Sequence, residues 1–350
     1  MDVTNQQQRS ELARRVRLAV TIGGQDVTGA INPYLISATY TDNAAGKADE
    51  VRLELHDRDA VWLEAKALKK GLPVTMSIRC EDWLGPGKHL SLNCGAFKID
   101  EVEHSGPPDK VSIKAVSAAL TDELRETPRT QAWEDYSLQA VASEIAGRNG
   151  LELLYNADPY PFGRQDQREE SDLPFLQRLA SARGVNVKVH DGKLVCEAAS
   201  RGDARTPHIT VNRTGDMFSP ERYTLKDQSQ DTAYSGCDVQ YWDAEKGEMV
   251  TYSFGDPGKD GERRKVTLIN RRVESRAEAE TFAKSGLRDK NEKEGAGSID
   301  IMGHPGLVSG STIILAGFGR FDGTYFVEKA THKISGKYTT SAELRRTLGY

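Results

Sequence analysis

The stretch Gln165–Ala198, QDQREESDLPFLQRLASARGVNVKVHDGKLVCEA, carries the most telling local pattern in the chain. It opens on a solvated run, Gln165 to Glu170, after which Ser171 or Asp172 offers a side-chain oxygen to cap a helix. Pro174 falls in the first turn, where a missing backbone N–H costs nothing. Leu173, Leu176, Leu179 and Ala180 lie on one helical stripe with Phe175 beside it. Arg178 and Arg183 put positive charge toward the C-terminal end, and Gly184 is placed to end the helix in the left-handed conformation. Val185, Val187 and Val189 then alternate with polar residues, Asp191-Gly192 turns the chain, and Leu194 to Cys196 returns. The prediction is a helix packed on a hairpin, and composition alone favours an ordinary α+β core element.

The chain has 350 residues, enough for two to four compact modules. Hydrophobic residues make up 37% and charged residues 28%, with a formal net charge of −5. No basic excess supports wrapping nucleic acid. Cys80, Cys94, Cys196 and Cys237 lack CxxC spacing and fall in strand-like runs; Cys80 and Cys94 could be sheet neighbours, but reduced, buried thiols are the expectation. The N-terminal MDVTNQQQRSELARRV has no apolar core of a signal peptide. Nowhere do about 18 apolar residues run together, so no spanning helix and no membrane partner are expected.

Residues 1–15 read as a polar arm. Strand periodicity follows at Val16–Ile22, Leu35–Thr41, Val51–His56, Val74–Cys80, Leu90–Ile99 and Val111–Val116. Asp59–Lys69 interrupts it as a short helix, and the whole reads as a small closed or split barrel over 16–120. Leu120–Thr130 is a charged connector. Ser137 caps a helix over Leu138–Arg148, with Leu138, Val141, Ala142 and Ile145 as its stripe, ended at Asn149-Gly150. Residues 121–220 thus form a helix–hairpin α/β module with a loop-rich end over Ser200–Pro220. Strands return at Arg222–Leu225, Cys237–Trp242, Met249–Phe254 and Lys265–Ile269. A polar helix follows over Arg276–Lys293, whose Ala277, Ala279, Ala283 and Leu287 would pack weakly; 221–294 is a β-rich connector with that helix. The last module, 295–350, has strands at Ser298–Met302, Thr312–Leu315, Thr324–Lys329, Lys333–Ile334 and Tyr338–Arg345, with strands from 221–270 available to complete it. Strand spacing is similar at both ends, yet residue identity displays no internal repeat.

The order of residues in ESDLPFLQRLASARGV…DGKLV resembles the phage late control gene D family, the tail hub proteins of contractile-tailed phages, and the related hub module of VgrG. Gln165 or Gln167, Ser171, Asp172, Phe175, Leu176, Arg178, Leu179, Ala180, Gly184 and Asp191-Gly192 occupy the family's places; Pro174 departs from it. Asp57, Asp59, Trp62, Lys70, Gly71, Val74, Met76 and Gly95-x-Phe97 follow its first module, with Trp62 more readily a core aromatic than an interface anchor. Trp133, Ser137, Ile145, Ala146, Gly150 and Leu151 match its first inserted helix, and Ser275, Glu278 and Ala279 a later one. Gly323, Tyr325, Val327, His332, Gly336 and Tyr338 follow its closing barrel, with Lys337 inserted. The resemblance covers about residues 16–348.

It implies a β-rich α+β fold, with two tail-tube-like barrels and α/β inserts between them. It also implies a homotrimer in which six similar β-modules join a hexameric tail tube to a trimeric spike. The partners implied are a second and third copy, the tube protein, the spike and other baseplate proteins. The place is the tail baseplate of the virion, after assembly in the bacterial cytoplasm. No specific nucleic-acid binding is expected, and the mildly acidic balance suits a lumen through which DNA passes without sticking. The alternatives are the hub of a type VI-like or extracellular injection device and a hub-fold peptidoglycan hydrolase. A full-length VgrG is disfavoured, since that family appends a spike repeat and this chain stops at Tyr350.

Residue patterns that would carry chemistry fall short in this chain. Gly85-Pro86-Gly87-Lys88-His89 and Gly255-Asp256-Pro257-Gly258-Lys259 lack the Gly-Lys-Ser/Thr that opens a helix under a nucleotide. Ser309 in GLVSGS is not a nucleophile elbow. The seven histidines show no HxH or HxxxH pair, and no two carboxylates are singled out as a hydrolase pair. The expectation is no catalytic residue, no metal, no cofactor and no enzyme, with His332 making a structural hydrogen bond.

Overall fold

The computed structural model describes residues 13–62, 68–117, 122–227, 234–243, 246–255, 265–268, 273 and 275–350. The first module runs β1 (Arg15–Ile22), β2 (Gln25–Asp26), a short helix α1 (Thr28–Ile31), β3 (Leu35–Asn43), β4 (Glu50–His56), β5 (Pro73–Glu81), β6 (Leu90–Ser105) and β7 (Lys110–Ser117). Alternate residues of these strands, from Leu18 and Val20 through Leu53, Met76 and Phe97 to Ile113, enter one core, which is what period-two patterning dictates for a sheet wrapped round its apolar face. The helix expected over Asp59–Lys69 falls largely on 63–67, outside the described residues.

The insert runs α2 (Asp122–Glu126), β8 (Arg129–Ser137), α3 (Leu138–Arg148), β9 (Glu152–Asn156), β10 (Pro161–Glu170), α4 (Asp172–Ser181), β11 (Val185–His190), β12 (Lys193–Ala198) and α5 (Ala199–Asp203). Ser137 caps α3 as predicted, its hydroxyl accepting from the Ala140 N–H. The helix and hairpin expected within Gln165–Ala198 are present. Asp191 (φ +46) and Gly192 (φ +75) both take positive φ, the turn that matches the twist of a two-residue hairpin. Three expectations fail here. Gln165–Glu170, expected as a solvated run, is the end of β10, held against β8 with Gln167 buried. The connector contains α2, which buries Leu124. Ser171 occupies the cap position of α4 without capping it, because its hydroxyl donates instead to the Arg125 carbonyl at 2.6 Å, tying α4 to α2.

The remainder runs β13 (Ile209–Asn212), β14 (Arg222–Asp227), β15 (Gly236–Asp243), β16 (Glu248–Gly255), β17 (Lys265–Leu268), α6 (Arg276–Asn291), β18 (Gly295–Met302), β19 (Thr312–Ala316), β20 (Gly323–Ser335) and β21 (Lys337–Arg346). The supposed loop over Ser200–Pro220 holds α5 and β13, and β13 pairs in parallel with β19. β20 is one bulged strand, not two. Helix α6 covers the sheet β16-β15-β17 and packs firmly: Phe282 joins Ala279, Ala283 and Leu287 in the core, while Ala277 is exposed. A stripe of small residues read as weak packing because the aromatic contact came from the position between them.

The chain is β-rich α+β, and its two ends meet in a single 13-stranded sheet, where β20 pairs antiparallel with β3 (Lys329–Ile334 against Asn43–Ala38). Within it the same order occurs twice. β3-β4-β7-β6-β5-β1 at one end is matched strand for strand, in chain order, by β14-β18-β21-β20-β19-β13 at the other. Only the last pairing differs, antiparallel in β1–β5 and parallel in β13–β19. Both long strands carry a bulge, between Ile99 and Glu101 and between Val327 and Lys329. Aligned on that bulge, Gly95, Phe97, Ile99, Asp100, Val102 and His104 fall on Gly323, Tyr325, Val327, Glu328, Ala330 and His332. An internal repeat therefore exists at residue level, and it becomes visible once the bulges supply the register.

Candidate functional site: the buried junctions between modules

Many of the polar groups that the fold buries lie where modules meet. On β11 the valines enter the insert core, so Lys188 and His190, on alternate positions, face the first module. There Lys188 meets two buried carboxylates, ion-paired with Asp42 and with Asp49 at 3.2 Å. His190 Nδ1 lies 2.8 Å from Asp49. From the last module, the Ser309 N–H and hydroxyl donate to Asp42 at 2.8 and 2.7 Å. Burial pushes the Asp42 carboxyl up, but the Lys188 charge and the Ser309 hydrogen bonds outweigh it and hold the group below its ordinary value. A lysine, a serine and an aspartate in contact superficially suggest a nucleophile. Here the hydroxyl donates to a carboxylate and the ammonium is engaged by two, so the cluster ties three modules together.

A second junction is centred on Asp203 of α5. Arg288 of α6 reaches it at 2.7 Å, Arg345 of β21 at 2.8 Å, and the Leu348 N–H donates to it at 2.9 Å. Glu292 and Glu328 flank Arg345 at 3.7 and 3.6 Å, and its guanidinium lies over the Phe326 ring. Burial raises the Glu328 carboxyl despite Arg345. Buried charges are tolerated only when paired this densely.

Under the β20–β3 seam, His332 stacks on Tyr40, and its Nδ1 lies 2.8 Å from the Tyr338 hydroxyl and 3.2 Å from Thr340 Oγ1. Burial lowers its pKa to about 4, so the ring is neutral near pH 7. Trp83 crosses from the first module to donate to the Gly303 carbonyl at 2.7 Å.

The motif residues separate into three places. Trp133, Asp172, Phe175, Leu176 and Leu179 come together inside the insert: Trp133 stacks on Phe175 and donates to Gln167, which donates to Asp172, itself held by both Arg148 and Arg129. Arg178 lies outside, paired with Glu170, and Gly184 ends α4 beside Ser285 of α6. Asp57, Asp59, Trp62 and Gly71 belong to the first module. There Asp57 is buried against His104 and accepts from the Trp62 N–H, and Asp59 is an exposed turn residue. Trp62 is partly buried against Tyr34, and the Gly71 N–H donates to the Ile99 carbonyl. Gly323 and Tyr325 lie in β20, Tyr325 buried with its hydroxyl donating to the Phe321 carbonyl. Asp42, Asp49, Lys188, His190, Asp203, Arg288 and Arg345 were not singled out by their sequence, and Ser309 stood out there only as a poor match to a nucleophile elbow. Strand alternation marks Lys188 and His190 only as facing away from the insert core.

Among the described residues, no three His, Cys, Asp or Glu side chains are placed to share a metal ion. All four cysteines are free and buried, and burial raises Cys80 and Cys196 to about 12 and Cys237 to about 11. Cys80 faces Leu90 across the β5–β6 ladder, not Cys94. No described helix is long and apolar enough to cross a membrane.

Residues 63–338 match the family described as phage tail baseplate hub (GPD). The probable baseplate hub protein of Escherichia phage P2 is 35% identical over 230 residues, covering 63% of this chain and 54% of that protein. That of Escherichia phage 186 is 33% identical over 231 residues, with 63% and 55% covered. The chain spans about half the length of these curated relatives. The 43 kDa tail protein of prophage MuSo2 from Shewanella oneidensis shares the fold, with a TM-score of 0.70 at 15% identity over 95% of this chain and 99% of that one.

Proposed function

This chain belongs to the phage tail baseplate hub family, and we propose that it serves as the structural central hub of a contractile tail baseplate, in a phage or a tailocin. The observation that carries this is the repeated six-strand order within one sheet. Two like modules per chain let three chains offer six like surfaces to a hexameric tube, while the unlike insert keeps threefold symmetry for a trimeric spike. In this reading residues 16–120, and 295–350 with β13 and β14, are the two tube-like modules. The buried junctions hold the insert rigidly on them, so that movement of the baseplate is passed on and not absorbed. The partners are two further copies of the chain, the tube protein, the spike and other baseplate proteins. The lumen is left for what the tail delivers, and assembly takes place in the host cytoplasm. No chemistry is assigned to any residue.

The test is the native mass of the full chain, alone and with its tube and spike proteins, followed by imaging of the complex. The expected result is a trimer whose ring shows six similar lobes on one face and three on the other. A chain that stays monomeric with both partners present overturns the proposal.

A further inference from the structure

The repeat makes one junction inside the chain a template for another between chains. Inside the chain, β20 has two partners along the edge opposite β21: β19 over Thr324–Phe326 and then β3 over Lys329–Ile334. β6 is built alike but half-occupied. Along the edge opposite β7 it pairs with β5 only as far as Lys98, and Ile99 is taken by Gly71 and Leu72. From Glu101 to Ser105 that edge has no strand partner among the described residues. β14 is the counterpart of β3 and stands at the end of the sheet, bonded among the described residues to β18 alone. Among the described residues each chain thus has one free edge of each kind, and open edges of this length are ordinarily covered.

We infer that β14 of one copy pairs antiparallel with the Glu101–Ser105 half of β6 in a second copy, repeating the β20–β3 junction. This rests on the trimeric hub reading above. The register follows from pairs already present. On the shared ladders, Thr39 opposite Arg52 corresponds to Thr224 opposite Ser298, so Ala38 to Asp42 map onto Tyr223 to Asp227. The bulges map Ala330 to Lys333 onto Val102 to Ser105. Transferring the intrachain pairs sets Val102 against Asp227, Glu103 against Lys226, His104 against Leu225 and Ser105 against Thr224.

Two features that played no part in the alignment agree with it. Glu103 and Lys226, of opposite charge, come directly opposite each other on one face. Val102 (39% exposed) and Tyr223 (44% exposed) are among the most exposed large apolar residues, and both lie on the edges to be joined. Because the two edges differ, the contact is heterologous, and three copies close it as a ring of six modules.

The test uses the full chain carrying Glu103→Cys and Lys226→Cys together. Oxidation is expected to give covalent dimer and trimer and nothing larger, while each single variant behaves as the wild type, whose own thiols are buried. Both positions are exposed, so folding is unaffected. Separately, Glu103→Lys should weaken each junction about two- to fivefold, and adding Lys226→Glu should restore it. A native trimer that neither cross-links nor responds to the charge exchange overturns the pairing and leaves the trimer standing. Products that stop at dimer overturn it too, and a persistent monomer overturns both the pairing and the hub reading.

Discussion

Replacing Lys188 by Met tests whether the junction at Asp42 and Asp49 holds the modules together. The side chain is 16% exposed and the two carboxylates 6% and 1%, so neither acid gains much water when the ammonium is removed. Breaking a buried pair by deleting one partner costs about 3–5 kcal/mol, most of it from the charge left behind. Here Asp42 keeps two hydrogen bonds from Ser309, and Asp49 keeps His190 and the Asn43 N–H. The expected loss is therefore at the low end, about 3 kcal/mol, measured from urea transitions followed by tryptophan fluorescence. Adding Asp42→Asn should recover part of it, since the stranded charge is then gone. Lys337→Met is the control: its pair with Glu221 is exposed, and its loss should cost under about 1 kcal/mol. If Lys188→Met costs no more than this control, the junction does not hold the modules as argued.

Three further outcomes are expected. His332 and His304 are both lowered to about 4, chiefly by burial, whereas their ordinary value is 6.5. The unfolded chain then binds protons first, so stability is full above pH 6.5 and falls as the pH drops toward 4. Urea unfolding at pH 7 and pH 5 should differ by about 2 kcal/mol for each histidine, and the slope should shrink in His332→Gln. Gly303→Ala would set a Cβ 2.1 Å from the Tyr338 ring, against the Trp83 bridge. It should lower the melting temperature by more than Gly147→Ala, where nothing lies within 4 Å. Asp172→Ala takes the shared acceptor from Arg148, Arg129 and Gln167, while Arg148 keeps Glu144; it should cost about 3 kcal/mol by chemical denaturation, against under about 1 for Arg178→Ala at the surface.

The chain's periodicities and turn residues determine its local elements. Alternation at Val16–Ile22 or Val185–Val189, the Ser137 cap and the Asp191-Gly192 turn act over a few residues, and each is present where its pattern stands. The residue order around Phe175 and Trp62 was enough to point to the hub family. What tertiary structure alone decided is which strands meet. Ser171 prefers the Arg125 carbonyl to its own helix, and Phe282 turns a weak-looking stripe into a packed face. Ile209–Asn212 becomes a strand through β19, which is far along the chain. The repeat was unseen in residue identity because alternation constrains only polarity, so matching positions drift to Phe97 and Tyr325, or Ile99 and Val327. A bulge is a property of two paired strands, and it exists only once β6 has met β7 and β20 has met β21. The same holds for the buried charges. Lys188 and Asp42 are ordinary surface residues by type, and only the docking of the insert onto the sheet removes their water and makes each depend on the other.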